Sequence, residues 1–228
     1  MTALQTCRWH EFANRTQLEQ AARRFILEIA ERAIATHGAF RIALAGGNTP
    51  RYVYQSLRTA ETDWSAWHIY FGDERCLPAK SPDRNSRMAQ TMWLDYVNIP
   101  RQQIHPIPGE LGPETAAASY AQLIADIDEF DLVLLGLGED GHTASLFPGA
   151  AWEKGTALPT VIPIHDSPKP PLQRVSLSPA RLSHATCVMY LVSGENKREA
   201  VIKWRAGIDI PASRITPAGG VDIFSSIC

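Results

Sequence analysis

The chain lacks the marks of several common chemistries. Its cysteines, Cys7, Cys76, Cys187 and Cys228, stand singly, with no CxxC pair and no Cys/His pair at metal-ligand spacing. That argues against a disulfide framework and a structural zinc, so no metal or cofactor is expected. No run of about 18 uncharged apolar residues exists to span a bilayer. The N-terminal stretch MTALQTCRWHEFANRTQLEQ has no basic segment leading into an apolar one, so neither a membrane span nor a secretory leader is expected and the cytoplasm is the default location. Positive charge is not in excess: Lys and Arg total 22 against 24 Asp and Glu, for a net charge of −2. Nucleic acid and anionic membranes are therefore not expected partners, and an anionic ligand must be caught by local groups. The loop AGGNTP has neither the GxGxxG order of a dinucleotide fingerprint nor the GK[ST] of a P-loop, and the chain has no GxSxG elbow, so nucleotide and serine-elbow readings are not supported.

What is present is a globular composition, 45% hydrophobic and 20% charged over 228 residues, enough for one substantial domain, read here as residues 1–228. Thr16-Gln-Leu-Glu19 reads as a capping box opening a helix that continues through Leu18, Ala22, Phe25, Ile26, Ile29, Ala33 and Ile34 to Gly38. Strands FRIALA and WHIYF and a helix in RYVYQSL follow. Next come a helix over 84–96, a short IHPI strand, a helix over about 114–127 and the strand DLVLLGL. PTVIPI, RVSLS and TCVMYLV read as later strands, GENKREAVIKWRAG as a helix, the terminal SSIC as frayed, and the proline-rich 164–172 as an exposed, semi-rigid loop. The alternation and the continuous apolar runs predict an α/β fold: an open, mostly parallel sheet flanked by helices on both faces.

Polar residues gather in loops that directly follow predicted strands: Gly46–Pro50 (GGNTP), Gly72–Arg75 (GDER) and Gly138–His142 (GEDGH). Ligands of open parallel sheets bind at the carboxyl ends of the strands, so these loops should meet at one cleft. Gly46 and Gly47 allow close backbone approach, and Asn48 and Thr49 can bond an anion at a helix start. The same residues also read as a tight turn with Thr49 as N-cap and Pro50 at N1. Asp73, Glu74 and Arg75 read as a surface ion-pair cluster or, at a cleft edge, as a site with a fork of donors on Arg75. His142 reads as a general base oriented by Asp140 across the flexible Gly141, or as a loop histidine bonded to a carbonyl. Arg174 and Lys197 are singly unremarkable charges, yet as a pair they can anchor a phosphate. Thr143 and Ser145 read as hydroxyls at a helix start rather than as nucleophiles.

These residues carry a resemblance. GLGEDGHTASLFPG is similar to the signature of the 6-phosphogluconolactonases, and AGGNTP, FGDERCLP, RNSRMA, RVSLSPARL and SGENKREAV resemble the family's other blocks in the family's order. The resemblance implies the fold shared with glucosamine-6-phosphate deaminase. It also implies hydrolysis of 6-phospho-D-glucono-1,5-lactone, the second step of the oxidative pentose phosphate pathway, by a monomer or weak homodimer. By position it implies His142 as the base for water, Asp140 as its neighbour and Arg75 as a catalytic-site cation. Gly46, Gly47, Asn48 and Thr49 become the substrate loop, Asp73 and Asn85 join the substrate-binding set, and Arg174 and Lys197 hold the sugar phosphate. Two departures stand out: Asn48 replaces a hydroxyl residue, and Arg84 stands where a serine usually precedes the asparagine.

Two rivals are weaker. The deaminase branch continues its DGH block toward an Asn-Glu-Pro triplet and usually has a tyrosine in place of the DER arginine, whereas this chain has Phe147-Pro148 and Arg75. A sugar-phosphate sensor acting on DNA would need a basic helix-turn-helix, and the N-terminal residues offer none. A base and a cation without a metal suffice for an activated ester, so exhaustive chelation should leave lactone hydrolysis intact. Loss of activity restored by one divalent ion would reveal a ligand set that the spacing hides.

Overall fold

Three apolar segments buried almost end to end, Phe40–Leu44, Trp67–Phe71 and Phe130–Gly136, set the architecture, because a strand without a polar face has to be covered on both sides. A computed structural model describes residues 5–154 and 158–227. In chain order the elements are β1 (Cys7–Glu11), α1 (Arg15–His37), β2 (Phe40–Leu44), α2 (Asn48–Leu57), β3 (Trp67–Phe71), β4 (Asp73–Arg75), α3 (Asn85–Met92) and α4 (Pro113–Leu123). They continue with β5 (Phe130–Gly136), β6 (Val161–Ile164), β7 (Arg174–Leu177), α5 (Pro179–Ser183), β8 (Ala185–Ser193), α6 (Arg198–Arg205) and β9 (Val221–Ser226). Six strands form the main sheet in the order β1-β9-β8-β5-β2-β3, with every pairing parallel. From β2 the chain moves out to β3, then returns to place β5 on the other side of β2. The direction therefore switches between β2 and β5, where an open parallel sheet leaves a crevice at its carboxyl edge. Among the described residues no helix is long and apolar enough to cross a membrane.

The mostly parallel α/β expectation holds, and several local readings change. The long helix is capped two residues earlier than its Thr16/Glu19 pattern suggests. Asn14 accepts from the Gln17 N–H at 3.0 Å, the Gln17 side chain accepts from the Ala13 N–H at 3.2 Å, and Glu19 pairs with Arg15 at 3.0 Å instead. IHPI adds no strand: Ile104 makes a lone bridge to Ile69. The segment expected to fray is β9, which pairs with both β8 and β1 and buries Ser225 and Ser226; Cys228 lies outside the described residues. Neither β1 nor β9 shows a run apolar enough to announce itself. PTVIPI and RVSLS leave the parallel sheet and form a separate antiparallel one, β4-β7-β6. Its third strand is Asp73–Arg75 itself, read from sequence as a loop.

That small sheet turns the helix α3 toward the cleft. Arg84, the residue before α3, caps nothing with its own side chain. Glu74, fully buried in β4, does the work from across the chain. Its Oε1 accepts from the N–H groups of Arg75 at 2.9 Å and Asn85 at 2.7 Å, and its Oε2 accepts from the N–H and hydroxyl of Ser86 at 2.9 and 2.6 Å. A carboxylate at the positive end of a helix satisfies orphan donors and complements the macrodipole. Arg84 neutralises it from behind at 3.3 Å and also reaches Glu110 at 2.6 Å. The cap that Arg84 does not supply thus comes from an acid of β4. Glu74→Ala should cost about 3–5 kcal/mol, since it frees the α3 donors and strands a buried cation. Urea denaturation would measure this, and a loss under about 1 kcal/mol would show that α3 stands without the cap.

Candidate active site

The three loops read from sequence converge. Ala45, Gly46, Gly47, Asp73, Arg75, Asn85, Gly136–Gly138, His142, Ala144, Arg174 and Lys197 line one cleft of about 190 Å³. A second hollow of about 210 Å³ shares Gly46, Gly47, Gly136, Leu137 and Lys197 and adds Asn48, Thr49, Ser193 and Asn196. A hollow of about 660 Å³ on the far side of α3 is larger, but none of the three loops expected to converge contributes to it and no histidine lines it. Volume does not mark the chemistry here; converging polar groups do.

A buried polar frame joins the loops. Asp73 accepts from the Asn85 amide at 2.9 Å through Oδ1 and from the Ser145 hydroxyl at 2.6 Å through Oδ2, so the loops after β3 and β5 and the start of α3 share one carboxylate. Ser145 is fully buried and its hydroxyl is committed to Asp73. Thr143 donates to the Gly136 carbonyl at 2.9 Å. Neither starts a helix, because the segment after His142 runs as turns; the hydroxyls brace the loop. Asn85 presses against the glycine loop: a Cβ on Gly46 would lie 2.0 Å from the Asn85 Oδ1. Only glycine fits there. The loop itself departs from the Thr49-capped reading, since α2 begins at Asn48 with Gly47 as its N-cap and the Thr49 hydroxyl meets that of Ser193 at 2.7 Å.

His142 sits at the cleft wall with its Nδ1 hydrogen-bonded to Asp140 Oδ1 and its backbone N–H donating to the same oxygen at 3.2 Å. The ring lies 4.5 Å from that of the buried Phe147. Burial pushes the Asp140 carboxyl up. The hydrogen bond and charge of His142, its backbone N–H and the charge of Lys169 outweigh that and hold the carboxyl well below the usual carboxylate range. Asp140 is therefore an anion at neutral pH. A carboxylate partner alone does not single out His142, since His10, His37 and His165 have theirs in Asp222, Asp131 and Glu114 at 2.8, 2.8 and 2.9 Å. What singles it out is the cleft, which none of the other three lines. Ala144, beside it, holds φ at 48°, a left-handed conformation costing an alanine about 1–2 kcal/mol, so the surrounding contacts impose this loop shape.

The cations gather as expected but in unequal states. Antiparallel pairing sets Arg75 opposite Arg174. Arg75 anchors one nitrogen on the Asp83 carbonyl. Arg174 spends Nε and Nη2 on carbonyls of the proline-rich loop, so it is less available to a ligand than its sequence position implies. The Lys197 ammonium has no hydrogen-bond or ion-pair partner among the described residues, and burial together with Lys169 lowers its pKa against the pull of Glu139 and Asp140. Cys76 is an inert thiol, pushed up to about 11 by burial and then by Glu74. Among the described residues no three His, Cys, Asp or Glu gather as a metal would require. Sequence reading missed Glu74 as a cap and Lys169 as a neighbour of the site, because both depend on partners distant in the chain.

The family described as glucosamine-6-phosphate isomerases/6-phosphogluconolactonase matches residues 13–224. The chain belongs to this family. It is 40% identical over 180 residues to a 6-phosphogluconolactonase of Synechocystis sp., covering 75% of this chain and 73% of that protein. A 6-phosphogluconolactonase of Mycobacterium leprae is 32% identical over 230 residues, covering 95% and 92%. The structure of the Trypanosoma brucei 6-phosphogluconolactonase superposes with a TM-score of 0.87 at 29% identity, covering 97% of each chain.

Within this site Gly138 controls the imidazole, for a Cβ there would lie 1.9 Å from the His142 Nδ1 and 2.6 Å from the Asp140 Oδ1. Gly138→Ala should keep the fold by circular dichroism, abolish the low-field proton resonance of the His142–Asp140 hydrogen bond and lower turnover about 10²-fold. A surviving resonance with full turnover would mean that the ring is not held where it must work.

Proposed function

We propose that this chain hydrolyses 6-phospho-D-glucono-1,5-lactone to 6-phospho-D-gluconate, a step of the oxidative pentose phosphate pathway, through water activated by His142 and without a metal. The observation that carries the mechanism is the imidazole held by an ionised Asp140 at the wall of a cleft that also contains Arg75. Bonding of Nδ1 to Asp140 leaves Nε2 as the basic nitrogen. His142 Nε2 takes a proton from water as the water oxygen attacks C1 of the lactone, and the carbonyl oxygen gains the negative charge. Arg75, fixed by its bond to the Asp83 carbonyl, stabilises that oxyanion. Collapse of the tetrahedral adduct breaks the bond from C1 to the ring oxygen, which leaves with the proton returned by the imidazolium. A δ-lactone is already an activated ester, so orientation, one base and one cation suffice.

Buried Asp73 and Asn85 shape the wall beneath the sugar, and the glycine loop offers backbone N–H groups at the start of α2. Family membership and the lactonase names of the relatives support the substrate. Phe147, where the deaminase branch carries a carboxylate, is buried under the His142 ring; this supports a site built for one proton shuttle and no ring-opening acid. A cytoplasmic location belongs to the same proposal.

The direct test is acceleration of 6-phosphogluconolactone hydrolysis above its spontaneous rate. His142→Asn should preserve the fold and most substrate affinity while lowering kcat about 10²- to 10⁴-fold. Undiminished turnover in that variant would remove the imidazole from the reaction.

A further inference from the structure

Ala144, two residues after His142, occupies a turn that its side chain disfavours. The Leu146 N–H donates to the Thr143 carbonyl at 2.9 Å, which makes Ala144 the second residue of a four-residue turn, and its φ is 48°. Turns with a positive φ at that position ordinarily place glycine, asparagine or aspartate there. The chain follows this preference elsewhere. Among the described residues eight glycines hold a positive φ, and Ala144 is the one residue of another type that does. Its neighbours keep the turn from relaxing. The Thr143 hydroxyl is bonded to the Gly136 carbonyl at 2.9 Å and the Ser145 hydroxyl to Asp73 at 2.6 Å. The Ser145 N–H reaches the Ser176 hydroxyl at 3.4 Å, and Leu146 is fully buried. Backbone strain persists where the surroundings over-determine it, and it concentrates at functional sites.

Glycine would adopt the same turn without strain, and it differs from alanine only by the methyl. What the strained turn retains is therefore that methyl. Ala144 packs against the core and also lines the cleft. Of the cleft residues, Ala45, Leu137 and Ala144 alone carry apolar side chains. Ala45 and Leu137 are buried, whereas Ala144 is half-buried, so it is the most accessible of the three. A sugar lactone presents C–H groups between its hydroxyls. A cleft otherwise walled by glycines and by charged, amide and imidazole side chains has little apolar surface to receive them.

We propose that the Ala144 methyl is the apolar contact for the ring of the lactone and sets the depth at which C1 comes to rest beside the imidazole. The proposal rests on the lactone-hydrolysis reading above. Ala144 is then a positioning residue, and its left-handed backbone is the strain that accompanies this placement.

The experiment measures melting temperature, and kcat/KM on 6-phosphogluconolactone and on unphosphorylated gluconolactone, for the wild type, Ala144→Gly and Ala144→Ser. Ala144→Gly should raise the melting temperature by about 1–4 °C, because relief of the left-handed strain exceeds the added freedom of the unfolded chain. The same variant should lower kcat/KM about 5- to 50-fold, by a similar factor on both lactones, since both contain the ring. Ala144→Ser keeps the β-carbon, so it should recover most of that loss without the gain in melting temperature. The low-field proton resonance of the His142–Asp140 hydrogen bond should persist in Ala144→Gly. A melting temperature unchanged or lowered in Ala144→Gly would overturn the proposal by assigning the methyl to the core. A raised one with full turnover would overturn it by leaving the methyl without a role in the cleft. A loss confined to the phosphorylated lactone, or disappearance of the resonance, would overturn the ring contact. A wild type that accelerates neither lactone overturns the lactonase reading and this contact with it, and it is told apart from the other outcomes because they all begin from an active wild type.

Discussion

The site depends on one buried carboxylate that never faces the cleft. Glu74 gathers the first N–H groups of α3 and is neutralised by Arg84, which ties β4 to that helix at one point. Its neighbours in β4, Asp73 and Arg75, are thereby presented to the cleft, and Asn85 is delivered to the carboxylate of Asp73. Asp73 in turn holds Ser145 in the loop after β5, and Asn85 packs against Gly46 in the loop after β2. Helix-end electrostatics and a desolvated ion pair, neither lining the cleft, thus set the spacing of three loops that do.

Within that frame the chemistry needs little. An imidazole held by an ionised carboxylate and an arginine anchored by a carbonyl line the same cleft, so the proposed chemistry requires no large rearrangement. The supports are steric as much as polar. Phe147 lies against the His142 ring, and the same ring faces the Arg174 guanidinium at 5.4 Å. One buried aromatic therefore backs both His142 and Arg174.

Charge is distributed with the same economy. A chain with a net charge of −2 has no general attraction for a phosphorylated substrate, so positive potential has to be concentrated where the sheet brings strand ends together. Arg75, Arg174 and Lys197 come from β4, β7 and the turn after β8, and Lys169 comes from the loop before β7. Their proximity to one another lowers the pKa of Arg174 and of Lys197, with burial as the larger cause in each. A bound anion relieves that repulsion.

The sequence by itself determined the class of fold, the three loops that meet at the cleft and the pairing of the histidine proposed as the base. Each is a local property: continuous apolar runs demand a sheet covered on both faces, glycines after a strand demand a tight exit, and Asp140 and His142 are close enough in the chain to pair without help from the rest of it. It also carried the long helix, with its start misplaced by two residues because Asn14 and Gln17 compete with Thr16 and Glu19 for the same cap. Tertiary structure alone decided what depends on distant partners. Glu74 as a cap reaching across from β4, β1 and β9 recruited to the sheet by pairing, and β4, β6 and β7 separated into a sheet of their own all arise from contacts between residues about ten to more than two hundred positions apart. No periodicity or spacing encodes these, because a buried hydrogen bond depends on where the folded chain places both partners and not on either residue's neighbours in sequence.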